Sequence, residues 1–229
     1  MEAVSKQEAS KKRVIILGVN SRIYELIEIL QQSEYELTIV SRFVDSIRDS
    51  VHGVEMINSD FLHRDVLQRL DLEHCYAVVI LAESQDLSPK DIDARSVVAT
   101  LSIESINKDV RTVVEILHEE TAFHLKNAGV DEIIRSGALT ADILAFSINH
   151  TNFSQHLDIL LRYTHKNRIV TCSVAERFIG KFLGEVVPLM AKNRKILLGV
   201  RPEGVREDET LDPTYVLSAE DCFVYIDML

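Results

Sequence analysis

A chain of 229 residues has room for one or two domains, and its make-up, 46% apolar and 27% charged, is that of a globular protein. A formal net charge of −11 excludes a general nucleic-acid binder, which needs a basic face to neutralise phosphates. No apolar run approaches the roughly 20 residues that span a bilayer, and the polar opening MEAVSKQEASKK has no signal-peptide character. Three scattered cysteines, Cys75, Cys172 and Cys222, lack metal spacing and read as buried thiols in a reducing compartment.

In chain order, residues 1–12 read as a tail or linker. From Arg13 a β-α alternation begins. Val14–Leu17 is an apolar strand, and Ile23, Leu26, Ile27 and Leu30 have helical spacing across 21–32. Glu36–Val40 reads as a second strand, followed by a helix around Phe43–Val51. Val54–Asn58 is a third strand, with a short helix near Arg64–Leu70. Tyr76–Ala82, "YAVVILA", is apolar throughout, as a strand buried on both faces should be. Asp91–Ile106 is a longer helix with Val97, Val98, Leu101 and Ile106 on one side. A fifth strand (Val110–Leu117), a helix (Glu119–Ala128) and a brief sixth strand (Glu132–Ile134) follow. Six such units predict an α/β fold with a doubly wound parallel sheet.

The rhythm changes near residue 136. Ala138–Asn149 and Ser154–Tyr163 read as helices, then Arg168–Val174 as a strand, Ile179–Val187 as a helix, and Lys195–Val200 and Cys222–Ile226 as strands. Pro202–Pro213 is a charged connection. The predicted organisation is a tail at 1–12, a Rossmann-like domain at 13–136, crossover and dimerisation helices at 137–164, and a small mixed α/β lobe at 165–229.

The turn "LGVNSRI" after the first strand is a degenerate dinucleotide fingerprint. In G-x-G-x-x-G the glycines give a tight turn, close approach to pyrophosphate and close helix packing. Here Gly18 holds the first place, Asn20 the second and Ile23 the third. At the end of the second strand, Ser41-Arg42 replaces the carboxylate that would bind a ribose, and arginine favours phosphate. The nucleotide candidates are Gly18, Val19, Asn20, Ser21, Arg22, Ser41, Arg42, Asp60, Ala82 and Glu83. ATP, ADP or NADP is favoured over NAD, against the alternative of a decayed, empty site. Asp60 is equally a helix cap for the segment near His63. Glu83, Asp86, Asp91 and Asp93 form an acidic stretch that either binds a divalent cation or is a solvated face. There is no nucleophile elbow, HExxH motif or P-loop, and Ser59, Asp60 and Ser84 lack an evident base partner, so no catalytic residue is assigned.

Several segments together resemble the RCK domain, the regulator of K⁺ conductance. "KRVIILGVNSRIYELIEIL" is similar to the opening of its TrkA-N part, and "LHEETAFHLKNAGVDEIIRSGALTADILAFSI" to the end of that part. "VAERFIGKFLGEVV…KILLGVRPEG…LSAEDCFVYI" resembles a TrkA-C lobe, and "LAESQD…DARSVVATL" resembles the CASTOR and POLLUX branch. The resemblance implies a gating-ring domain at the inner, cytoplasmic face of a membrane. Its partners would be the pore of a potassium channel or transporter and further copies of itself, as dimers and an octameric ring. It implies pairing through Leu139, Ile143, Phe146 and Ile148, with packing on the parent domain as the alternative. In calcium-gated members carboxylates cluster at the strand ends. Glu115 matches one such position, so Glu115 and Glu83 are the metal candidates, but Leu81 and Leu117 stand where others are needed. Two further readings stay open: a stand-alone Trk or Ktr subunit and an NADP-linked oxidoreductase.

Overall fold

The computed structural model describes residues 12–83, 87–162, 167–202 and 211–228. Almost all of the 1–12 tail, Ser84, Asp86, Tyr163 and most of the 202–213 connection lie outside the described residues. The chain divides into two units, one ending at Ile148 and one beginning at Asn149.

The first unit is a parallel sheet with helices on both faces. Its strands are β1 (Arg13–Leu17), β2 (Glu36–Ser41), β3 (Glu55–Asn58), β4 (Ala77–Ile80), β5 (Arg111–Ile116) and β6 (Glu132–Arg135). They lie in the order β3-β2-β1-β4-β5-β6, all parallel. That is the doubly wound order, in which the direction of winding reverses between β1 and β4. The crossovers cover both faces of the sheet, so the central strands are apolar on both faces. Ile15, Leu17, Val78 and Ile80 pack on one side, and Val14, Ile16, Leu37 and Ile39 on the other.

Helix α1 (Ile23–Gln32) buries Ile23 and Ile27, one turn apart, against the second of these faces. The helix expected at 43–51 is instead two single 3₁₀ turns, Val44–Ser46 and Arg48–Ser50. The segment still buries Val44, Ile47 and Val51, so its apolar spacing reports burial rather than an α-helix. Helix α2 is Arg64–Gln68. Helix α3 runs from Pro89 to Ile106, with the Ser88 hydroxyl accepting from Asp91 N–H and proline in its first turn. Its buried side is only partly the expected one: Ile92, Asp93, Ser96, Ala99, Thr100 and Ile103 are buried and Val97 and Ile106 pack against the core, whereas Val98 and Leu101 are exposed. Polar groups are tolerated there because Ser96 and Thr100 donate to Ile92 O and Ser96 O within the helix. Asp93 accepts from Leu117 N, His118 N and Thr121 Oγ1 at the start of α4 (Glu120–Asn127). Helix α5 (Ser136–Asn149) closes the first unit and buries none of its residues.

The second unit holds α6 (Phe153–Arg162) and a three-stranded antiparallel sheet of β7 (Asn167–Ser173), β8 (Lys195–Arg201) and β9 (Cys222–Met228), ordered β7-β9-β8. One sheet face packs under α7 (Leu183–Lys192), joining Leu183, Val186 and Met190 to Val200, Phe223 and Tyr225. The helix expected from Ile179 starts only at Leu183, after a 3₁₀ turn at Glu176–Phe178 and left-handed Gly180. Buried Asp221 makes the turn into β9 by accepting from Ser218 N–H and the Tyr215 hydroxyl. Contrary to the expectation of three buried thiols, Cys172, on an edge strand, is exposed, and Cys75 and Cys222 are half-buried.

Candidate functional site

The C-terminal ends of β1 and β4 flank the crevice at which such sheets bind ligands. Leu17 ends β1, and Gly18 turns the chain with φ +93, a conformation that favours glycine. Its N–H donates to Val40 O on β2. A side chain at 18 would meet Leu81 O and Glu83 Cβ, each at 3.1 Å, so the position is tight in space as well as strained in backbone angle for any other residue.

Asn20 works through its side chain rather than a left-handed backbone. Its Oδ1 accepts from Arg22 N–H at 3.0 Å, supporting the start of α1. Its Nδ2 donates to Ala82 O at 3.1 Å and Glu115 Oε2 at 2.8 Å. Ile23, in place of the third glycine, is buried in the core beneath α1.

Two buried carboxylates fill the crevice. Glu83, 5% exposed at its side chain, accepts from Val19 N–H at 3.1 Å and from the Ser41 hydroxyl, both on Oε1. Ser41 Oγ in turn accepts from Phe43 N–H at 2.9 Å. Glu115, at the end of β5, accepts from Ala82 N–H at 3.1 Å and from Asn20, and pairs with Arg22.

A second ion-pair chain borders them. Arg95 Nη2 on α3 is 3.0 Å from Asp60 Oδ1 and 3.7 Å from Glu83 Oε2, and its guanidinium lies over the Phe61 ring at 5.0 Å. Arg95 Nε is buried without a hydrogen-bond partner. Arg42 Nε is 3.7 Å from Asp60 Oδ2. Burial pushes the Asp60 carboxyl up, but the Leu62 N–H, the Arg95 hydrogen bond and the charges of Arg95 and Arg42 outweigh it and hold it below its ordinary value. Asp60 also accepts from Leu62 N–H at 3.0 Å, a turn preceding α2.

The fold therefore brings Gly18, Val19, Asn20, Arg22, Ser41, Ala82, Glu83 and Glu115 together, and joins Arg42 and Asp60 to them through Arg95. Ser21 is exposed. Arg95 carries no motif, but it lies three residues after Ile92 and four before Ala99, beside the helix face that meets the sheet. The described members of the acidic stretch do not converge. Glu83 is in the crevice, Asp91 is bonded to the Ser88 hydroxyl at 2.6 Å, and Asp93 holds the turn between β5 and α4. Among the described residues no group of three or more His, Cys, Asp or Glu is placed to hold a metal ion. Glu115 and Glu83, the metal candidates, have amide, hydroxyl and guanidinium partners instead. No helix among the described residues is long and apolar enough to cross a membrane.

Helix α5 carries the expected pairing residues. Of these, Leu139, Phe146 and Ile148 are 56%, 52% and 84% exposed and Ile143 is half-buried; Leu144, outside the expected set, is 64% exposed.

Comparison with known proteins agrees with this architecture. Over 219 residues the chain is 22% identical to the calcium-gated potassium channel TvoK of Thermoplasma volcanium, covering 94% of this chain and 62% of that protein. The chain thus spans less than two-thirds of the length of that relative. The structure of the human SLO3 gating ring matches with a TM-score of 0.70 at 16% identity, over 95% of this chain and 44% of that one. The TrkA-N domain of the inner membrane protein YbaL from Escherichia coli matches with a TM-score of 0.50 at 14% identity, over 59% of this chain and 95% of that one. At such identities the structural likenesses establish the fold. The TrkA-N domain family itself matches residues 14–136, from the first strand through the sixth and more than half of the sequence, and the chain belongs to that family.

Proposed function

We propose that this chain is a ligand-sensing regulatory domain of a potassium channel or transporter, at the inner face of the membrane and without catalysis of its own. The observation that carries the reading is α5. A helix that ends a Rossmann-type unit, buries none of its residues and exposes Leu139, Leu144, Phe146 and Ile148 is built to meet another surface. We assign that surface to α5 of a second copy, which makes the dimer the working unit. Assembly of dimers into a ring, and the second unit as a TrkA-C lobe, belong to the same reading. The relationship to a calcium-gated potassium channel supports potassium as the ion controlled.

The sensor in this reading is the crevice at Gly18–Arg22, Ser41, Arg42, Asp60, Ala82 and Glu83, and the ligand is a phosphate-bearing adenine nucleotide. Binding would favour one arrangement of the dimer over another, and the pore would follow. The test is rubidium uptake in potassium-uptake-deficient cells expressing the complete gene that carries this chain. Uptake should change as cellular nucleotide levels change. Leu139→Glu with Leu144→Glu should remove that response and leave a monomer in light scattering. Uptake unaffected by deleting the whole chain overturns the reading.

A further inference from the structure

The donors of a Rossmann phosphate cradle are an amide of the glycine turn, groups at the end of the second strand and nearby cations. In this chain those donors are present and, the buried Arg95 Nε apart, already engaged from within. Glu83 draws on one from each source: Val19 N–H at 3.1 Å, the Ser41 hydroxyl, and Arg95 at 3.7 Å. This is the donor set of an anion site, and the anion is the chain's own carboxylate. Gly18 serves the same arrangement, since its missing side chain leaves room for Glu83 Cβ. Glu115 holds the adjoining position with Ala82 N–H, Asn20 Nδ2 and Arg22. The acidic groups Glu83, Glu115 and Asp60 are matched by the basic groups Arg22, Arg42 and Arg95. The crevice is thus close to neutral as it stands. A diphosphate entering it would meet two carboxylates where it needs donors, and like charges at contact distance repel strongly in a partly buried site.

We propose that Glu83 is a built-in competitor for the nucleotide site: its carboxylate occupies the anion position of the cradle, and a phosphate-bearing ligand binds only by displacing it. Val19 N–H, the Ser41 hydroxyl and Arg95 then pass from Glu83 to the ligand phosphate. Displacement also unties the end of β4 from the β1 turn, from β2 and from α3, because Glu83 is hydrogen-bonded to the first two and ion-paired with the third. Two discrete arrangements of these strand ends follow, one self-liganded and one nucleotide-bound, and Glu83 sets the balance between them. The inference rests on the nucleotide reading given above.

The test is calorimetric titration of the whole chain with ATP, ADP, NAD and NADP, each alone, in the wild type, Glu83→Gln and Glu83→Ala. Glu83→Gln keeps an oxygen for Val19 N–H and Ser41 while removing the charge, so a folded variant is available if Glu83→Ala is not. The expected result is at least a tenfold gain in affinity for one nucleotide in Glu83→Gln, and loss of that gain when Arg95→Ala is added. Equal affinity of wild type and Glu83→Gln for the same nucleotide overturns the competitor role while leaving the nucleotide reading intact. No nucleotide binding by wild type or by folded Glu83→Gln overturns both.

Discussion

Asp93 shows how one buried carboxylate can organise two elements. Its side chain is 2% exposed and accepts from Leu117 N–H, His118 N–H and Thr121 Oγ1, with His118 Nδ1 at 3.2 Å. Asp93→Ala would leave two backbone donors and a hydroxyl without their partner, and unmade buried hydrogen bonds cost about 1–3 kcal/mol each. With partial access of water the expected loss is roughly 3 kcal/mol in urea unfolding, among the larger effects of a single change. Glu104 is the opposite case. Burial and the neighbouring Asp131 carboxylate push its carboxyl above the ordinary 4.5. A group with a raised folded pKa supports the fold below its unfolded value, and that support is lost as pH rises through the folded value. At pH 7 the ionised Glu104 is therefore a burden. Glu104→Gln should stabilise the chain there, and the gain should shrink as pH falls through the raised folded value toward 4.5. Thermal melts of both proteins from pH 4 to pH 8 check this, and a gain that grows toward acid would contradict the assignment.

At the scale of elements, much of the first unit is legible because parallel strands buried on both faces must be apolar runs, and Val14–Leu17 and Tyr76–Ala82 could be little else. Helix α3 is where periodicity misleads. Its apolar residues Val98 and Leu101 face outward, while Asp93, Ser96 and Thr100 face inward, because hydrogen bonds within the helix and to the α4 start satisfy them. Its beginning was misplaced by two residues, since the Ser88-Pro89 start precedes the first apolar repeat. Ser88→Ala removes the oxygen that Asp91 N–H uses and should lower stability by about 1 kcal/mol in urea unfolding. An unchanged midpoint would mean that proline alone holds the helix start. In the candidate site, Gly18, Asn20 and Ser41 were legible from the turn and from the end of β2, where spacing along the chain carries the information. Arg95 and the pairing of these residues with Glu83 and Glu115 were not, because they meet across 12 to 95 residues of chain and only the sheet order brings them together.

For the whole molecule, charge and the α5 surface act against each other. A chain with net charge −11 repels its own copy, yet the proposed pairing buries leucine, isoleucine and phenylalanine side chains. The range of the repulsion is about 10 Å at 0.1 M salt and about 3 Å at 1 M. Burial of apolar surface is not weakened by that screening, so the two contributions separate when salt is varied. If α5 is the contact, the dimer should tighten several-fold between 0.1 M and 1 M KCl, as the repulsion between two acidic chains is removed. Sedimentation equilibrium of the intact chain measures this, with Leu139→Glu and Leu144→Glu together as the monomeric reference. Pairing that weakens in high salt would place the contact on ion pairs instead. The exposed leucines of α5 would then need a different partner. The same titration bears on the crevice, where Arg42 and Arg22 are half-exposed while Glu115 and Asp60 are mostly covered. Salt should weaken those pairs only modestly, because buried partners are screened less than exposed ones, so the unfolding midpoint should move far less than the association constant.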